Sequence, residues 1–168
     1  MGSSSPPGSA TVTPLSVVVV LFGATGDLAH RMVMPALVEL HERGLLPQRW
    51  RLIGCATDRW DDEAFRARLR DSLLSSELGL PEDWDQVCRR VGYAGGGFTD
   101  ADPGALPEVL ARARRELAAE GGGEPLVVHF LAVPPAAYPV ITRGLGRHGL
   151  AAGARAVSKL PPDRSLAQ

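Results

Sequence analysis

The first apolar stretch, Ser16-Val-Val-Val-Val-Leu-Phe22, runs without a polar interruption and stops at Gly23. A continuous β-branched run of this length predicts a strand buried on both faces. From about Asp27 to Arg43 the period changes: Leu28, Met32, Leu37 and Leu40 recur at near-helical spacing, Gly44 is the stop, and Pro35 is expected to kink the helix. Arg51 to Thr57 reads as a second strand. Asp61 and Asp62 are placed to cap a helix whose apolar stripe is Phe65, Leu69 and Leu73.

Gln86 to Tyr93 predicts a weaker third strand. The glycines 95–97 and Pro103 then bracket a loop before an Ala-, Leu- and Arg-rich helix that ends near Glu120. Pro125 to Val133 predicts a fourth strand, again buried on both faces, Tyr138 to Gly149 a short helix, and Arg155 to Lys159 a fifth strand. Strands alternating with helices of this length imply right-handed βαβ crossovers and a parallel sheet covered on both sides. The expected fold is a doubly wound α/β sheet of Rossmann type, one domain over residues 16–168 behind a disordered Ser/Pro/Gly-rich lead at 1–15.

Composition narrows this picture. The 168 residues, 45% of them apolar, suit one core and leave no room for two full enzyme domains. With 18 basic against 19 acidic residues the formal charge is −1, which argues against a nucleic-acid or polybasic membrane partner. Leu15 to Phe22, the longest apolar stretch, falls far below the roughly 20 residues of a membrane span. Cys55 and Cys88 are too few for a disulfide framework or a Cys-ligated metal, so a reducing, cytoplasmic setting is expected. Both read as small buried apolar residues. Lys159 is the one lysine in an otherwise all-arginine set, and Arg112, Arg114 and Arg115 read as a solvated helix face.

In a doubly wound sheet the ligand sits beyond the carboxyl ends of the strands, where the first strand turns into the first helix. Here that turn is Gly23-Ala24-Thr25-Gly26-Asp27. Gly23 would let the backbone approach a pyrophosphate, Gly26 would let helix and strand pack closely, and the helix N-terminus would offer its N–H groups to the anion. The three-glycine fingerprint of dinucleotide sites has Leu21 at its first glycine, so a plain strand-to-helix turn stands as the alternative. At the end of the second strand, Thr57-Asp58-Arg59 gives a mixed signal. Asp58 would bond a ribose 2′-OH and repel a 2′-phosphate, whereas Arg59 would accept one.

With these residues in hand, the sequence resembles the coenzyme domain of the glucose-6-phosphate dehydrogenase family over roughly Val17 to Lys159. The resemblance is carried by Phe22-Gly-Ala-Thr-Gly-Asp-Leu-Ala29, Met34-Pro-Ala-Leu37, Arg43-Gly-Leu-Leu-Pro47, Tyr93-Ala-Gly-Gly-Gly-Phe-Thr-Asp100 and Leu131-Ala-Val-Pro-Pro-Ala-Ala-Tyr138, all in the family's order. It implies NADP as cofactor, with NAD as the alternative, and glucose 6-phosphate as substrate where a second domain or chain completes the site. Gly23, Ala24, Thr25, Gly26, Asp27 and Leu28 would then surround the coenzyme pyrophosphate. Ala132, Val133, Pro134 and Tyr138 would lie along the nicotinamide half, and Lys159 would contact both sugar phosphate and coenzyme. The plainer readings are a strand terminator for Pro134-Pro135 and a helix-packing ring for Tyr138.

The chain also departs from the family's pattern. Met32 and Thr57 stand where the family carries cations, and a lost charge-assisted hydrogen bond costs about 1.5–3 kcal/mol. Ser158 precedes Lys159 where a Glu is usual, and Leu-Pro-Pro162 follows it. The family's general base is a His in an Arg-Ile-Asp-His-Tyr type segment of its second domain. None of His30, His41, His129 or His148 has that context: His30 and His41 read as solvent-facing helix residues, and His129 as a core histidine. No catalytic residue is therefore assigned, and the chain alone is expected to bind dinucleotide without turnover. A non-catalytic dinucleotide-binding module is the competing reading. A short-chain-dehydrogenase site is disfavoured because neither Tyr93 nor Tyr138 is followed four residues later by Lys.

Overall fold

The computed structural model describes residues 15–151 and, by its backbone, the strand Ala154–Ser158. The lead at 1–14 and Lys159 lie outside the described residues. Five strands, β1 (Ser16–Phe22), β2 (Arg49–Cys55), β3 (Val91–Ala94), β4 (Leu126–Leu131) and β5 (Ala154–Ser158), form one parallel sheet in the order β3-β2-β1-β4-β5. The strand order reverses between β1 and β4, so the doubly wound expectation is met at its defining point.

The period-two alternation of β1 sorts its side chains between two cores. Val17 and Leu21 join Leu37, Val38, Phe65, Leu69 and Leu73 under α1 (Met34–Glu42) and α2 (Asp62–Ser75). Val18, Val20 and Phe22 join Leu106, Leu110, Leu117, Ile141 and Leu145 under α4 (Leu106–Ala119) and α5 (Tyr138–Arg147), on the opposite face. Asp61 caps α2 as its sequence position suggests, its Oδ1 accepting from the N–H of Ala64 at 2.8 Å. Between β2 and α2 contact is close: a Cβ on Gly54 would lie 2.4 Å from the Phe65 ring.

Three expectations are corrected. The segment Gln86 to Tyr93 is mostly helix: α3 (Trp84–Arg89) buries Val87, and only four residues pair as β3. That four-residue pairing reaches β2 alone, because β3 is the sheet edge. Pro35 lies inside a helix that runs unbroken over residues 27–42, and a π-helical turn, Ala29–Val33, stands just ahead of it, where the regular ladder gives way.

β4 is not buried on both faces. Leu126, Val128 and Phe130 are half-buried along an apolar groove shared with Leu28, Val33 and Leu37, since the crossover helix α5 covers only the other side. His41, finally, does not face solvent. Its Nδ1 accepts from Trp50 Nε1 at 3.1 Å and its Nε2 lies 2.7 Å from Asp83 Oδ2, which fixes the Nε2–H tautomer.

Candidate functional site

At the reversal point, a cleft of about 430 Å³ opens over the carboxyl ends of β1, β2 and β4. Its floor is the glycine turn. The N–H groups of Gly23 and Ala24 bond the Cys55 carbonyl at 2.9 and 3.3 Å, and the Ala132 N–H bonds the Phe22 carbonyl at 3.0 Å. Three strand ends are thereby held edge to edge. Gly26 N–H closes onto Gly23 O at 2.9 Å and His30 N–H onto Gly26 O at 3.1 Å, so the helix begins at the cleft wall. The N–H groups of its first turn have no acceptor within the helix and suit an anion.

The close packing expected of Gly26 falls to Gly23. Gly23 has φ +76°, and a Cβ there would lie 2.3 Å from Ala132 O and 2.9 Å from Val133 Cγ1. It is Gly23 that permits close packing, against the exit of β4. A Cβ on Gly26 would meet only Gly23 O, at 3.2 Å, so no strand packs there.

Of the residues expected at the site, Gly23, Thr25, Gly26, Thr57, Ala132 and Pro134 line the cleft. Ala24 is wholly buried beneath it. Asp58 reaches the turn across the mouth: its Oδ2 accepts the Thr25 hydroxyl at 2.5 Å. The backbone carbonyl of Asp58 is itself held by the Tyr93 hydroxyl at 2.6 Å. Burial, with smaller contributions from Asp58 and Cys55, pushes that phenol up to about 12, so it stays a donor. Arg59 is exposed and outside the lining.

Asp27 is fully exposed and bound to Arg31 at 2.9 Å, a hydrogen bond that lowers its carboxyl below the ordinary value. Two further expected residues lie elsewhere. Leu28 points into the apolar groove on the α1 face, because the helical period carries it away from the turn. Tyr138 packs against the α4–α5 core and does not line the cleft, the plainer of its two readings.

Apart from Val133, the far wall was not foreseen residue by residue. Phe98, delivered by the glycine loop after β3, stands edge-on to Phe22 with ring centroids 5.3 Å apart. A Cβ on Gly144 would lie 2.7 Å from the Phe98 ring, so that glycine lets α5 close on it. Val133, Ala137, Val140 and Ile141 complete an apolar wall. The only signal in the sequence was the triplet Gly95 to Gly97, of which Gly97 N–H bonds Ala56 O at 3.0 Å and brings the loop to the cleft. Cys55 also lines it, but burial pushes its thiol up to about 12 and removes it as a nucleophile.

None of the four histidines lines this cleft. His129 is in the core, 1% exposed, its Nε2 on the Leu150 carbonyl at 3.1 Å, as its place in an apolar strand suggested. His148 stands against Phe98 from outside the lining, and His30 lies in the π turn. Among the described residues no helix is long and apolar enough to cross a membrane.

The sequence profile of the "Glucose-6-phosphate dehydrogenase, NAD binding domain" family matches residues 20–160. The chain belongs to the glucose-6-phosphate dehydrogenase family. It is 35% identical over 136 residues to glucose-6-phosphate 1-dehydrogenase 2 of Mycobacterium tuberculosis, matching 79% of this chain and 26% of that one. With glucose-6-phosphate 1-dehydrogenase of Treponema pallidum the identity is 32%, over 85% of this chain and 27% of the relative. The chain thus spans about a quarter of the length of the curated relatives it matches.

Among solved structures, glucose-6-phosphate 1-dehydrogenase from Mycobacterium avium superposes with a TM-score of 0.66 at 25% identity, over 87% of this chain and 30% of that one. A glucose-6-phosphate dehydrogenase solved with its substrate shares the fold at a TM-score of 0.70 and 22% identity, covering 89% and 31%. A nicotinamide dinucleotide is the family's cofactor class.

Proposed function

We propose that this chain is the coenzyme-binding part of a glucose-6-phosphate dehydrogenase type oxidoreductase, and that it binds NADP and NAD on nearly equal terms. The reading is carried by one observation: the glycine turn opens a helix at the strand-order reversal, with Asp58 tied to Thr25 across its mouth. The residues present fit a dinucleotide. The first turn of the helix takes the pyrophosphate, and the apolar wall of Phe98, Val133 and Ile141 shelters a nicotinamide ring.

At the adenosine end, Asp58 selects for a ribose 2′-hydroxyl, while Arg59, exposed and next to it, supplies the positive charge for a 2′-phosphate. Thr57, which lines the cleft, adds none. The family's preference for NADP is thereby reduced.

Once bound, the nicotinamide supplies the hydride acceptor for oxidation of a sugar hydroxyl carbon. This chain's residues fix its position and exclude water from one side of the ring. Among the described residues none is placed as a base: no histidine lines the cleft, the Cys55 thiol is held protonated, and the Tyr93 hydroxyl is spent on Asp58 O. An oriented base contributes roughly 10²–10⁴ in rate. Turnover with glucose 6-phosphate therefore needs the part of the family's length that this sequence does not include, and the chain alone binds without reacting.

Isothermal titration of the purified chain with NADP and with NAD tests the binding, and absorbance of reduced nicotinamide with glucose 6-phosphate tests the turnover. Comparable saturable binding of both and no reduction is expected. Binding of neither, a preference for NADP of more than about a hundredfold, or robust reduction would each overturn its part of the proposal.

A further inference from the structure

Away from the dinucleotide cleft, and sharing no lining residue with it, a cavity of about 230 Å³ lies between α2, α4 and the β2–β3 edge. Five arginines contribute to its lining: Arg51 from β2, Arg66 from α2, Arg89 and Arg90 at the end of α3, and Arg112 from α4. Two carboxylates, Asp62 and Glu116, face the same space. Nothing in the sequence brings these arginines together, since they are spread over 62 positions and four elements.

We propose that this cavity is a second binding site, for the phosphate or diphosphate group of a small free anion. The argument is one of unbalanced charge. Arg51, largely buried, lies 3.4 Å from Glu116 and also bonds Glu120, and Arg112 lies 3.5 Å from Asp62. Those pairs consume the acidic groups at the cavity. Arg66 meets only a carbonyl, Val91 O at 3.0 Å, and Arg90 likewise meets Gln48 O at 2.7 Å while its guanidinium lies over the Trp50 ring. Arg89 has no hydrogen bond or ion pair among the described residues.

A guanidinium bonded to a carbonyl keeps its full charge and most of its five donors. Arg66, with donors left over, and Arg89, without a partner among the described residues, both line this cavity, and a phosphate takes such groups through paired N–H···O bonds from planar forks. Burial, then the neighbouring Arg51, lowers the Arg90 side chain from its ordinary value, with Glu120 and Asp83 acting in the opposite direction. Arg51 and Arg90 are thus close enough to repel each other, by less than burial contributes. The space is many times the 10–15 Å³ or so that admits one water, which leaves room for a phosphate group. A nucleic-acid backbone is disfavoured by the overall charge of −1.

The test is titration of the purified chain with inorganic pyrophosphate and inorganic phosphate at matched ionic strength, repeated in the presence of saturating NADP. Arg89→Gln, on an exposed side chain outside the core, and Arg66→Gln are the variants. Expected is saturable pyrophosphate binding that persists with NADP bound and weakens about ten- to a hundredfold in each variant, the loss of one charge-assisted hydrogen bond. NADP affinity should stay unchanged in both. Pyrophosphate binding that vanishes on adding NADP, or that survives Arg89→Gln undiminished, would place the anion at the glycine turn and overturn the proposal. So would the absence of saturable binding.

Discussion

Gly23→Ala isolates the role of the turn. The substitution adds one methyl group at φ +76°, where an L-residue pays about 1–2 kcal/mol for the left-handed conformation. The methyl also lands 2.3 Å from Ala132 O and 2.9 Å from Ala132 C, both backbone atoms of the β4 exit, which cannot swing aside as a side-chain end would. Relief requires β4 and β1 to part at their carboxyl ends, at the typical overpacking cost of about 1–3 kcal/mol. The sum, about 2–5 kcal/mol, is a large share of the roughly 5–15 kcal/mol that holds a domain together.

For a chain of this size each kcal/mol moves Tm by about 2–4 °C, so a drop of roughly 4–20 °C is expected in calorimetry. Dinucleotide binding, read by titration below the transition, should fall with it because the same displacement opens the cleft floor. Gly26→Ala is the control. Its φ is not positive and its methyl meets one carbonyl at 3.2 Å, so it should cost about 1 kcal/mol or less. If Gly23→Ala melted within about 0.5 kcal/mol of the parent, or if Gly26→Ala were the worse of the two, the close-packing role given to Gly23 would be wrong.

Asp58→Ala should weaken NAD binding by about ten- to a hundredfold and leave NADP binding equal or tighter, measured by parallel titrations; equal losses for both would refute the ribose reading. Gly54→Ala should destabilise by about 1–3 kcal/mol in urea, because its methyl meets the Phe65 ring at 2.4 Å, and Phe65→Leu should recover part of that loss in a double-mutant cycle. His129 is held below its ordinary value by burial, so the native state takes up its proton later than the unfolded chain. Its contribution to stability is complete above about pH 6.5, is lost as pH falls toward the depressed value and then levels off; His129→Phe should flatten that part of a urea-stability profile. Cys55 should resist alkylation in the native chain while Cys88, partly exposed, reacts first, as mass spectrometry would show.

The sequence by itself determined what depends on neighbours within a few residues. The unbroken run Ser16–Phe22, the stop at Gly23 and the stripe Phe65-Leu69-Leu73 are local patterns. They yielded β1, its turn and α2 with a cap at Asp61, because strand and helix periods are written directly into side-chain order. From the alternation of such elements the parallel, doubly wound sheet followed. The same reasoning failed at Gln86 to Tyr93, where Val87 is buried by α3 against the first core; apolar spacing there does not separate one turn of helix from a short edge strand.

Only the tertiary structure decided which residues share a site. Thr25 and Asp58 are 33 positions apart and meet because β1 and β2 end side by side. Leu28 follows the glycine turn in sequence yet faces the opposite groove, because a helix turns about 100° per residue. Phe98 comes to the cleft on a loop tied to Ala56, and the arginine cavity draws on four elements, so neither has a local signature. Periodicity gives the face of an element, but the sheet order gives its neighbours, and charge and recognition depend on the neighbours.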